Sequence, residues 1–229
     1  MQRLIENTSL KNKLYVFKDR KAAGILLAQR LLGYKDTDGI VLGIPSGGVP
    51  VAAEIAKALM LPLDLIIVRK VQIPYNTEAG FGAVSPDNKI LLNEDFLKNL
   101  NLSEKEVEQQ IQRTTKIIKT RNILFRKGVV FPSIKNKVVI IVDDGLASGY
   151  TMLSAIDFVR RHESQKIVVA VPTGLEKTVY YILSQVEELV CLNVRSGFIF
   201  AVADAYENWH DIEDNEVISI IKNFYKLKN

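Results

Sequence analysis

Short apolar runs alternate with amphipathic helical patterns along most of this chain, and the alternation restricts the fold that it can adopt. The apolar runs occupy residues 40–44, 63–68, 137–142, 166–171 and 188–194. Their length and unbroken apolar character are typical of strands that are buried on both faces. Helical spacing of apolar residues between the runs predicts right-handed βαβ units. We therefore expect an α/β fold with a parallel sheet of about five strands flanked by helices.

Two helices are predicted directly after a strand, because their apolar residues recur at helical spacing on one face. The first pattern consists of Ala52, Ile55, Ala56 and Leu59, and the second of Met152, Ala155, Ile156 and Val159.

The composition indicates one compact globular domain over residues 1–229. A hydrophobic content of 48% in 229 residues is enough for a full core. No apolar run reaches the roughly 18 residues of a membrane span, and the start of the chain lacks the apolar centre of a secretion signal. We therefore expect a cytoplasmic protein that does not enter a membrane. The single cysteine, Cys191, excludes a disulfide framework and a cysteine metal cluster. A net charge of +4 suits an anionic ligand, but it also suits an ordinary basic surface.

Two segments interrupt the alternation of strands and helices. A long helical pattern from residue 103 to about 125 begins with a capping box formed by Ser103 and Glu106. It predicts a helical insertion at residues 94–135 between two parts of the core, 19–93 and 136–195. The tail, residues 196–229, concentrates aromatic and acidic residues before a last helix. We expect it to form a small hood over the sheet.

Two adjacent carboxylates, Asp143 and Asp144, directly follow the third predicted strand. Ligands of parallel sheets bind beyond the carboxyl ends of the strands, where carboxylates can accept hydrogen bonds from sugar hydroxyls. The next residues form a turn with two glycines that leads into a helix, which favours a phosphate at the helix N-terminus. Two acids followed by a phosphate-binding turn together predict a ribose 5-phosphate site.

The first two predicted strands end in further residues suited to an anion. The turn after the first strand contains Ser46, Gly47 and Gly48, whose backbone amides can approach an anion closely, although such turns also occur as plain connections. The second strand ends in Arg69 and Lys70, which can neutralise a pyrophosphate.

The stretch VVIIVDDGLASGYT, residues 138–151, resembles the phosphoribosyl pyrophosphate (PRPP) signature of type I phosphoribosyltransferases. The similarity extends from about residue 19 to 221 and is greatest to stand-alone phosphoribosyltransferase-domain proteins, which carry the sequence IPSGGVPVA seen at residues 44–52. The resemblance implies a type I phosphoribosyltransferase fold. It also implies transfer of the 5-phosphoribosyl group from PRPP to a nitrogen nucleophile, a nucleobase or related small molecule, with release of pyrophosphate.

The resemblance also implies a role for each part of the site. Asp143 and Asp144 would hold the ribose hydroxyls, with Mg²⁺ bound nearby through PRPP and without a permanent metal site. The implied 5-phosphate loop consists of Gly145, Leu146, Ala147, Ser148, Gly149, Tyr150 and Thr151. The implied pyrophosphate site consists of Ser46, Gly47, Gly48, Arg69 and Lys70.

Residues 71–80 are rich in turn-forming residues and predict a mobile loop. The resemblance implies a lid that closes over the site with contacts from Tyr75 and Glu78, and a plain connection without a role is the alternative. Ala147 stands where many relatives carry an acid that takes a proton from the acceptor. Glu78 is therefore one candidate for a catalytic base, and the resemblance leaves the source of the base open.

The acceptor, the oligomeric state and the choice between enzyme and regulator also stay open. The hood offers Phe198, Phe200, Tyr206 and Trp209 as stacking surfaces or as core residues. A homodimer is compatible with the resemblance. An alternative function is a PRPP- or nucleotide-sensing regulator that binds RNA, because residues 111–137 contain no acid. Their basic residues are Arg113, Lys116, Lys119, Arg121, Arg126, Lys127, Lys135 and Lys137. A solvated helix face explains the same pattern.

Overall fold

The computed structural model describes residues 2–197 and 199–226, except for the side chains of Thr77 and Glu78. The strands are β1 (Arg3–Glu6), β2 (Gly39–Gly43), β3 (Leu63–Leu65), β4 (Arg69–Ile73), β5 (Asn76–Val84), β6 (Ile90–Leu92), β7 (Val138–Val142), β8 (Lys166–Leu175) and β9 (Glu188–Arg195). The α-helices are α1 (Arg20–Arg30), α2 (Gly48–Leu59), α3 (Glu94–Lys98), α4 (Glu104–Arg126), α5 (Tyr150–Arg161), α6 (Glu176–Leu183) and α7 (Asp214–Lys226).

A parallel sheet of six strands forms the centre of the molecule, in the order β1-β9-β8-β7-β2-β3. Alternate residues of its strands enter two cores on opposite faces, as a sheet covered on both sides requires. The apolar residues of α5 and α6 pack on one face, and those of α1 and α2 pack on the other. The predicted α/β fold is therefore confirmed, including the buried faces of α2 and α5.

The strand predictions needed three corrections. β1 was not predicted, because four residues with a charge at each end, RLIE, carry no buried-strand pattern. The apolar run at 63–68 forms a strand only over Leu63–Leu65, although the Ile66 N–H still donates to the Gly43 carbonyl oxygen. Arg69 and Lys70, predicted at the end of this strand, instead begin β4 of a second sheet. β8 continues to Leu175, well past the predicted end at 171, because Thr173 and Gly174 pair with β9.

Residues 71–80, predicted as a mobile loop, lie instead within a hairpin of β4 and β5. These strands and β6 form a second, antiparallel sheet of three strands. Glycines explain the close pairing, because a Cβ atom on Gly82 would lie 2.4 Å from the Leu91 carbonyl oxygen of β6. Turn-forming residues at positions 72–76 thus mark a tight strand connection, and their composition alone did not distinguish it from an irregular loop.

The long helix α4 begins at the predicted capping box, in which Ser103 and Glu106 each bond to the other's backbone N–H. Its buried residue Ile118 joins a third core with Val71 and Phe81 of the small sheet. In the tail, α7 packs against α2 and β3. Cys191 is buried in β9, as predicted. Among the described residues, no helix has the length and apolar character needed to cross a membrane.

The contact between α1 and α2 generates a prediction at Gly24. A Cβ atom on this glycine would lie 2.7 Å from the Val51 carbonyl oxygen, which is too close for any real contact. We therefore expect Gly24→Ala to lower the free energy of unfolding by about 1–3 kcal/mol, the usual cost of overpacking. Thermal or denaturant unfolding measures the change. Gly33→Ala is the matched control and should be close to neutral, because a Cβ atom there meets nothing within 4 Å. A Gly24→Ala variant stabilised by the roughly 1 kcal/mol helix-propensity gain of alanine would contradict this packing.

Candidate active site

The carboxyl ends of β2 and β7 bring the glycine turn of residues 45–48 against the acid pair. A Cβ atom on Gly47 would lie 1.9 Å from Asp144 Oδ2, and one on Gly48 would lie 2.6 Å from the Val142 carbonyl oxygen. Only glycine leaves room for this approach. The peptide bond between Pro45 and Ser46 is cis. Two predicted parts of the site, from strands that are far apart in sequence, are thus in direct contact.

Asp144 forms a buried ion pair with Arg20, which was not predicted as a site residue. Arg20 Nε donates to Asp144 Oδ2 over 2.8 Å, and the arginine is only 5% exposed. The same guanidinium donates from Nη1 to the His210 carbonyl oxygen over 2.8 Å and stacks on Trp209, with Cζ 3.8 Å from the ring centroid. Arg20 therefore joins the acid pair to the tail of the chain.

One feature of the sequence points to a partner for Arg20. Asp19 caps α1 by accepting a hydrogen bond from the Ala22 N–H, so Arg20 lies in the first turn of the helix. A cation is unfavourable there because the helix N-terminus carries partial positive charge. A buried cation in that position needs an anionic partner, but the sequence does not show which one.

The second acid, Asp143, has fewer contacts that stabilise its charged form than Asp144 has. Its Oδ1 accepts a hydrogen bond from the Asp144 N–H over 2.9 Å, but in the described part of the chain it forms no salt bridge of its own. Burial raises the pKa of the Asp143 carboxyl well above its usual range, and the adjacent Asp144 carboxylate raises it further. A cation bound beside Asp143 would favour the ionised form of its buried carboxyl.

The donor set fits a weakly coordinated Mg²⁺. The described residues contain no group of three or more His, Cys, Asp or Glu side chains that could hold a metal ion. Asp143 and Asp144 offer oxygen ligands, which Mg²⁺ prefers, and a bound phosphate ligand would have to supply most of the others.

A cleft of about 280 Å³ is lined by predicted residues from each part of the site. Asp143, Asp144 and Thr151 line it together with Ser46 and Gly47 of the glycine turn. The remaining polar lining consists of three cations and one amide, which are Arg69, Lys70, Arg121 and Gln72.

The basic side of the cleft concentrates positive charge. Burial lowers the pKa of Arg69, repulsion from Arg121 and Arg113 lowers it further, and Asp214 opposes this effect. Lys70 packs across the hairpin, because a Cβ atom on Gly80 would lie 2.3 Å from Lys70 Cγ. A cluster of cations next to two carboxylates is suited to a ligand that carries both phosphate groups and hydroxyls.

The predicted 5-phosphate loop is held in place by β8 and α6. Leu146 donates its N–H to the Thr173 carbonyl oxygen over 2.9 Å and buries its side chain, so its N–H is not available to a phosphate. Thr178 Oγ1 donates to the Ala147 carbonyl oxygen over 2.7 Å. Gly149, with φ of 82°, begins α5, whose first amides have no partner within the helix. Ala147 and Ser148 are exposed.

Tyr75 and Tyr206 are not among the residues that line the cleft. Tyr75 is 86% exposed on the hairpin, and its hydroxyl lies 3.5 Å from Glu106 Oε1. The side chain of Glu78 and the whole of Phe198 lie outside the described residues. Tyr206 is a core residue whose hydroxyl donates to the Asp144 carbonyl oxygen over 2.6 Å.

The other two aromatic residues of the tail stack on arginines. Phe200 lies beside Arg195, and Trp209, 38% exposed, lies beside Arg20. Trp209 is therefore a partly accessible aromatic residue that contacts Arg20, the partner of Asp144.

Several cations of the basic segment 111–137 are paired with acids from elsewhere in the chain. The pairs are Arg121 with Asp214, Arg126 with Asp64, Lys135 with Glu163, and Lys137 with Asp38. Half of the basic residues in this segment therefore form ion pairs within the protein.

An acid pair, a glycine turn and several cations thus lie together at the carboxyl ends of the parallel strands. Residues 17–207 match the model of the phosphoribosyl transferase domain. This chain belongs to the phosphoribosyl transferase domain family.

Two relatives support this membership, and a solved structure shows a similar fold. Two proteins of Mycobacterium tuberculosis, from strains CDC 1551 and H37Rv, carry provisional names as phosphoribosyl transferases. Each is 36% identical over 206 residues, which is 90% of this chain and 46% of the relative. The chain thus spans about half the length of the curated relatives that it matches. The crystal structure of TT1426 from Thermus thermophilus is 32% identical, with a TM-score of 0.74 and coverage of 91% of this chain and 98% of that one.

The ion pair between Arg20 and Asp144 generates a second prediction. Arg20→Met leaves a buried carboxylate next to another one, so we expect the free energy of unfolding to fall by about 2–4 kcal/mol. Lys21→Met removes the same charge from an exposed neighbour and should change stability by less than about 0.5 kcal/mol. The double variant Arg20→Met, Asp144→Asn should lose clearly less than the sum of its single changes, because the orphaned charge is gone. Additive losses in denaturant unfolding would contradict a coupled pair.

The raised pKa of Asp143 generates a third prediction. The folded protein holds this proton more tightly than the unfolded chain, whose aspartates titrate near about 3.9. Stability should therefore fall as pH rises from that value through the raised pKa of Asp143. Asp143→Asn lacks this effect, so it should melt a few degrees higher than the wild type at pH 8, with a difference that shrinks toward pH 4. Asp36→Asn, at an exposed aspartate, is the control. An Asp143→Asn variant that melts lower than the wild type at pH 8 would contradict the unfavourable charge.

Proposed function

We propose that this protein transfers the 5-phosphoribosyl group from PRPP to a nitrogen nucleophile and releases pyrophosphate. The observation that carries the proposal is the cleft that Asp143 and Asp144 line together with Arg69 and Lys70. A ligand with a diol in its middle and phosphate groups at its ends matches this distribution of charge. The family membership supports the same reaction class.

The proposed roles follow from the position of each group. Asp143 and Asp144 accept hydrogen bonds from the ribose hydroxyls. The 5-phosphate binds at the N-terminus of α5, where Thr151 adds a hydroxyl donor and residues 147–149 supply backbone amides. Ser46, Gly47, Gly48, Arg69 and Lys70 form the proposed pyrophosphate site. The Gly48 N–H of the glycine turn already donates to the Ile44 carbonyl oxygen, and the N–H of the next residue, Val49, donates to the Ser46 carbonyl oxygen. The side chains of Arg69 and Lys70 therefore carry most of the charge recognition there.

Mg²⁺ bound with PRPP would neutralise charge on the leaving pyrophosphate. Asp143 and Asp144 would hold it, and the protein contributes positioning: Arg20 orients Asp144, and the glycine turn keeps both acids at the mouth of the cleft. Arg69 and Lys70 stabilise the negative charge that grows on the leaving group.

The acceptor is a small nitrogen nucleophile that binds beside the acid pair, where Trp209 offers an accessible aromatic surface. Ala147 supplies no base. We propose that the base comes from the hairpin, with Glu78 as the first candidate, when the hairpin closes over the cleft. An acceptor that needs no deprotonation before it attacks is the alternative.

We further propose that residues 1–229 act as one domain with an inserted helical segment at 94–135 and a hood at 196–229. A cytoplasmic location and a homodimer remain predictions. The RNA-binding alternative has less support, because acids from elsewhere in the chain neutralise half of the basic segment.

A pyrophosphate-release assay tests the proposal and makes a fourth prediction. Purified protein with PRPP and Mg²⁺ should release pyrophosphate in the presence of one member of a panel of nucleobases and amines, and Asp144→Asn should abolish the release. Thr151→Val should weaken PRPP binding by about 1.5–3 kcal/mol, the usual value of a hydrogen bond to a charged group.

Thr120→Val is the matched control, because Thr120 is an exposed threonine of α4 whose hydroxyl bonds to its own helix at the Lys116 carbonyl oxygen. Calorimetry should find the same PRPP affinity for this control as for the wild type. Tight PRPP binding without release for any acceptor would reject the transferase in favour of a regulator. Equal affinity in wild type and Thr151→Val would reject the proposed phosphate loop.

A further inference from the structure

Arg121 reaches the cleft from α4, which belongs to the inserted segment and not to either predicted anion-binding turn. Its side chain lines the cleft together with Ser46, Arg69 and Lys70. Arg121 Nη2 donates to Ser46 Oγ over 3.4 Å, which is a long hydrogen bond. The inserted helix thus places a guanidinium next to the proposed pyrophosphate turn.

Asp214, the first residue of α7, holds this guanidinium through a single contact. Arg121 Nη2 lies 2.9 Å from Asp214 Oδ1, and the two side chains are 21% and 35% exposed. Within the described residues, Asp214 Oδ1 accepts no hydrogen bond with good geometry. The pair is therefore looser than the two-pronged arrangement that arginine forms with a well-placed carboxylate.

The guanidinium keeps most of its donors for another partner. Arginine has five N–H donors in a planar fork, and both contacts described above use Nη2. In the described part of the chain, Nη1 and Nε of Arg121 have no hydrogen-bond partner. A phosphate group in the cleft can receive two parallel hydrogen bonds from such a fork.

The charge balance of the cleft also favours an anion at this point. Arg69 and Arg121 are close enough that their repulsion lowers the pKa of Arg69, and Asp214 partly offsets it. A phosphate group between the two arginines would relieve that repulsion more fully than one loosely held carboxylate, because it carries more negative charge and more acceptor atoms.

We propose that Arg121 is a further pyrophosphate-binding residue and that Asp214 is its counter-ion in the ligand-free protein. The inference rests on the proposed function, which supplies the pyrophosphate group. Ligand binding then replaces the contact between Arg121 and Asp214 with contacts to phosphate oxygens. The inserted helix α4 and the tail helix α7 would in this way set the affinity of a site built mainly by the central sheet.

Isothermal titration calorimetry with inorganic pyrophosphate, with and without Mg²⁺, tests the proposal and is the fifth prediction. Arg121→Met should bind pyrophosphate about 10- to 100-fold more weakly than the wild type, as expected for a lost charged hydrogen bond. Arg121→Lys keeps the charge without the fork and should fall between them. Lys119→Met, which removes an exposed cation from the same helix, should bind within about twofold of the wild type.

Asp214→Asn separates a ligand-binding role from a purely structural one. Loss of the competing carboxylate should tighten pyrophosphate binding by about two- to fivefold, which is the range expected for a partly exposed ion pair. The same change in the Arg121→Met background should tighten binding less, because only the effect of Asp214 on Arg69 remains. If Arg121 only tied α4 to α7, Asp214→Asn would change the affinity equally in both backgrounds.

Three results would each overturn the inference. The first is that Arg121→Met and Arg121→Lys bind pyrophosphate as well as the Lys119→Met control does. The second is that Asp214→Asn leaves the affinity unchanged or lowers it, and the third is that the wild type binds no pyrophosphate. If Arg121→Met does not fold, Arg121→Lys and Asp214→Asn decide. The proposed function is tested separately. A wild type that binds pyrophosphate through Arg121 but releases none from PRPP would reject the transfer reaction and leave this anion site intact.

Discussion

The site depends on the contact between a glycine turn and two carboxylates at the end of neighbouring parallel strands. β2 and β7 pair so that Gly43 lies opposite Val142, and the residues that follow each strand must therefore meet. Gly47 leaves the space that Asp144 occupies, and a side chain there would push the acid pair away. The cleft, its basic wall and the start of α5 are arranged around this contact. The central sheet thus fixes the distance between the groups that would bind a ribose and a pyrophosphate.

Charge at the site is compensated unevenly, and the imbalance is informative. Arg20 neutralises Asp144 inside the protein, whereas burial keeps the pKa of Asp143 high. On the opposite side, positive charge accumulates around Arg69, with Asp214 as a partial counter-ion. Such an arrangement is unfavourable for a ligand-free protein and becomes favourable when a cation and a polyanion bind together. Perturbed groups of both signs in one cleft support the proposed binding of a cation together with a polyanion.

Local pattern was enough to predict most of the sheet and the centre of the site. Buried strands and helix faces repeat at fixed spacing, so five of the six strands could be recognised, while the short edge strand β1 carries too few residues to show a pattern. The acid pair and both loops follow strand ends directly, and parallel strands bring their ends to one edge. The hairpin at 69–84 was harder to predict, because the same turn-forming residues occur in tight connections and in irregular loops.

The sequence by itself determined five strands of the parallel sheet, the two glycine-containing turns that follow them and the family resemblance, because these are properties of consecutive residues. Only the tertiary structure decided which distant charges meet. Arg20 lies 124 residues from its partner Asp144, and Arg121 meets Ser46 across 75 residues. Half of the basic segment that suggested RNA binding is paired with acids contributed by other elements. Ion pairs form between groups that lie a few ångströms apart in space. The spacing of residues along the chain does not show which groups come that close, because the folded sheet brings distant segments together.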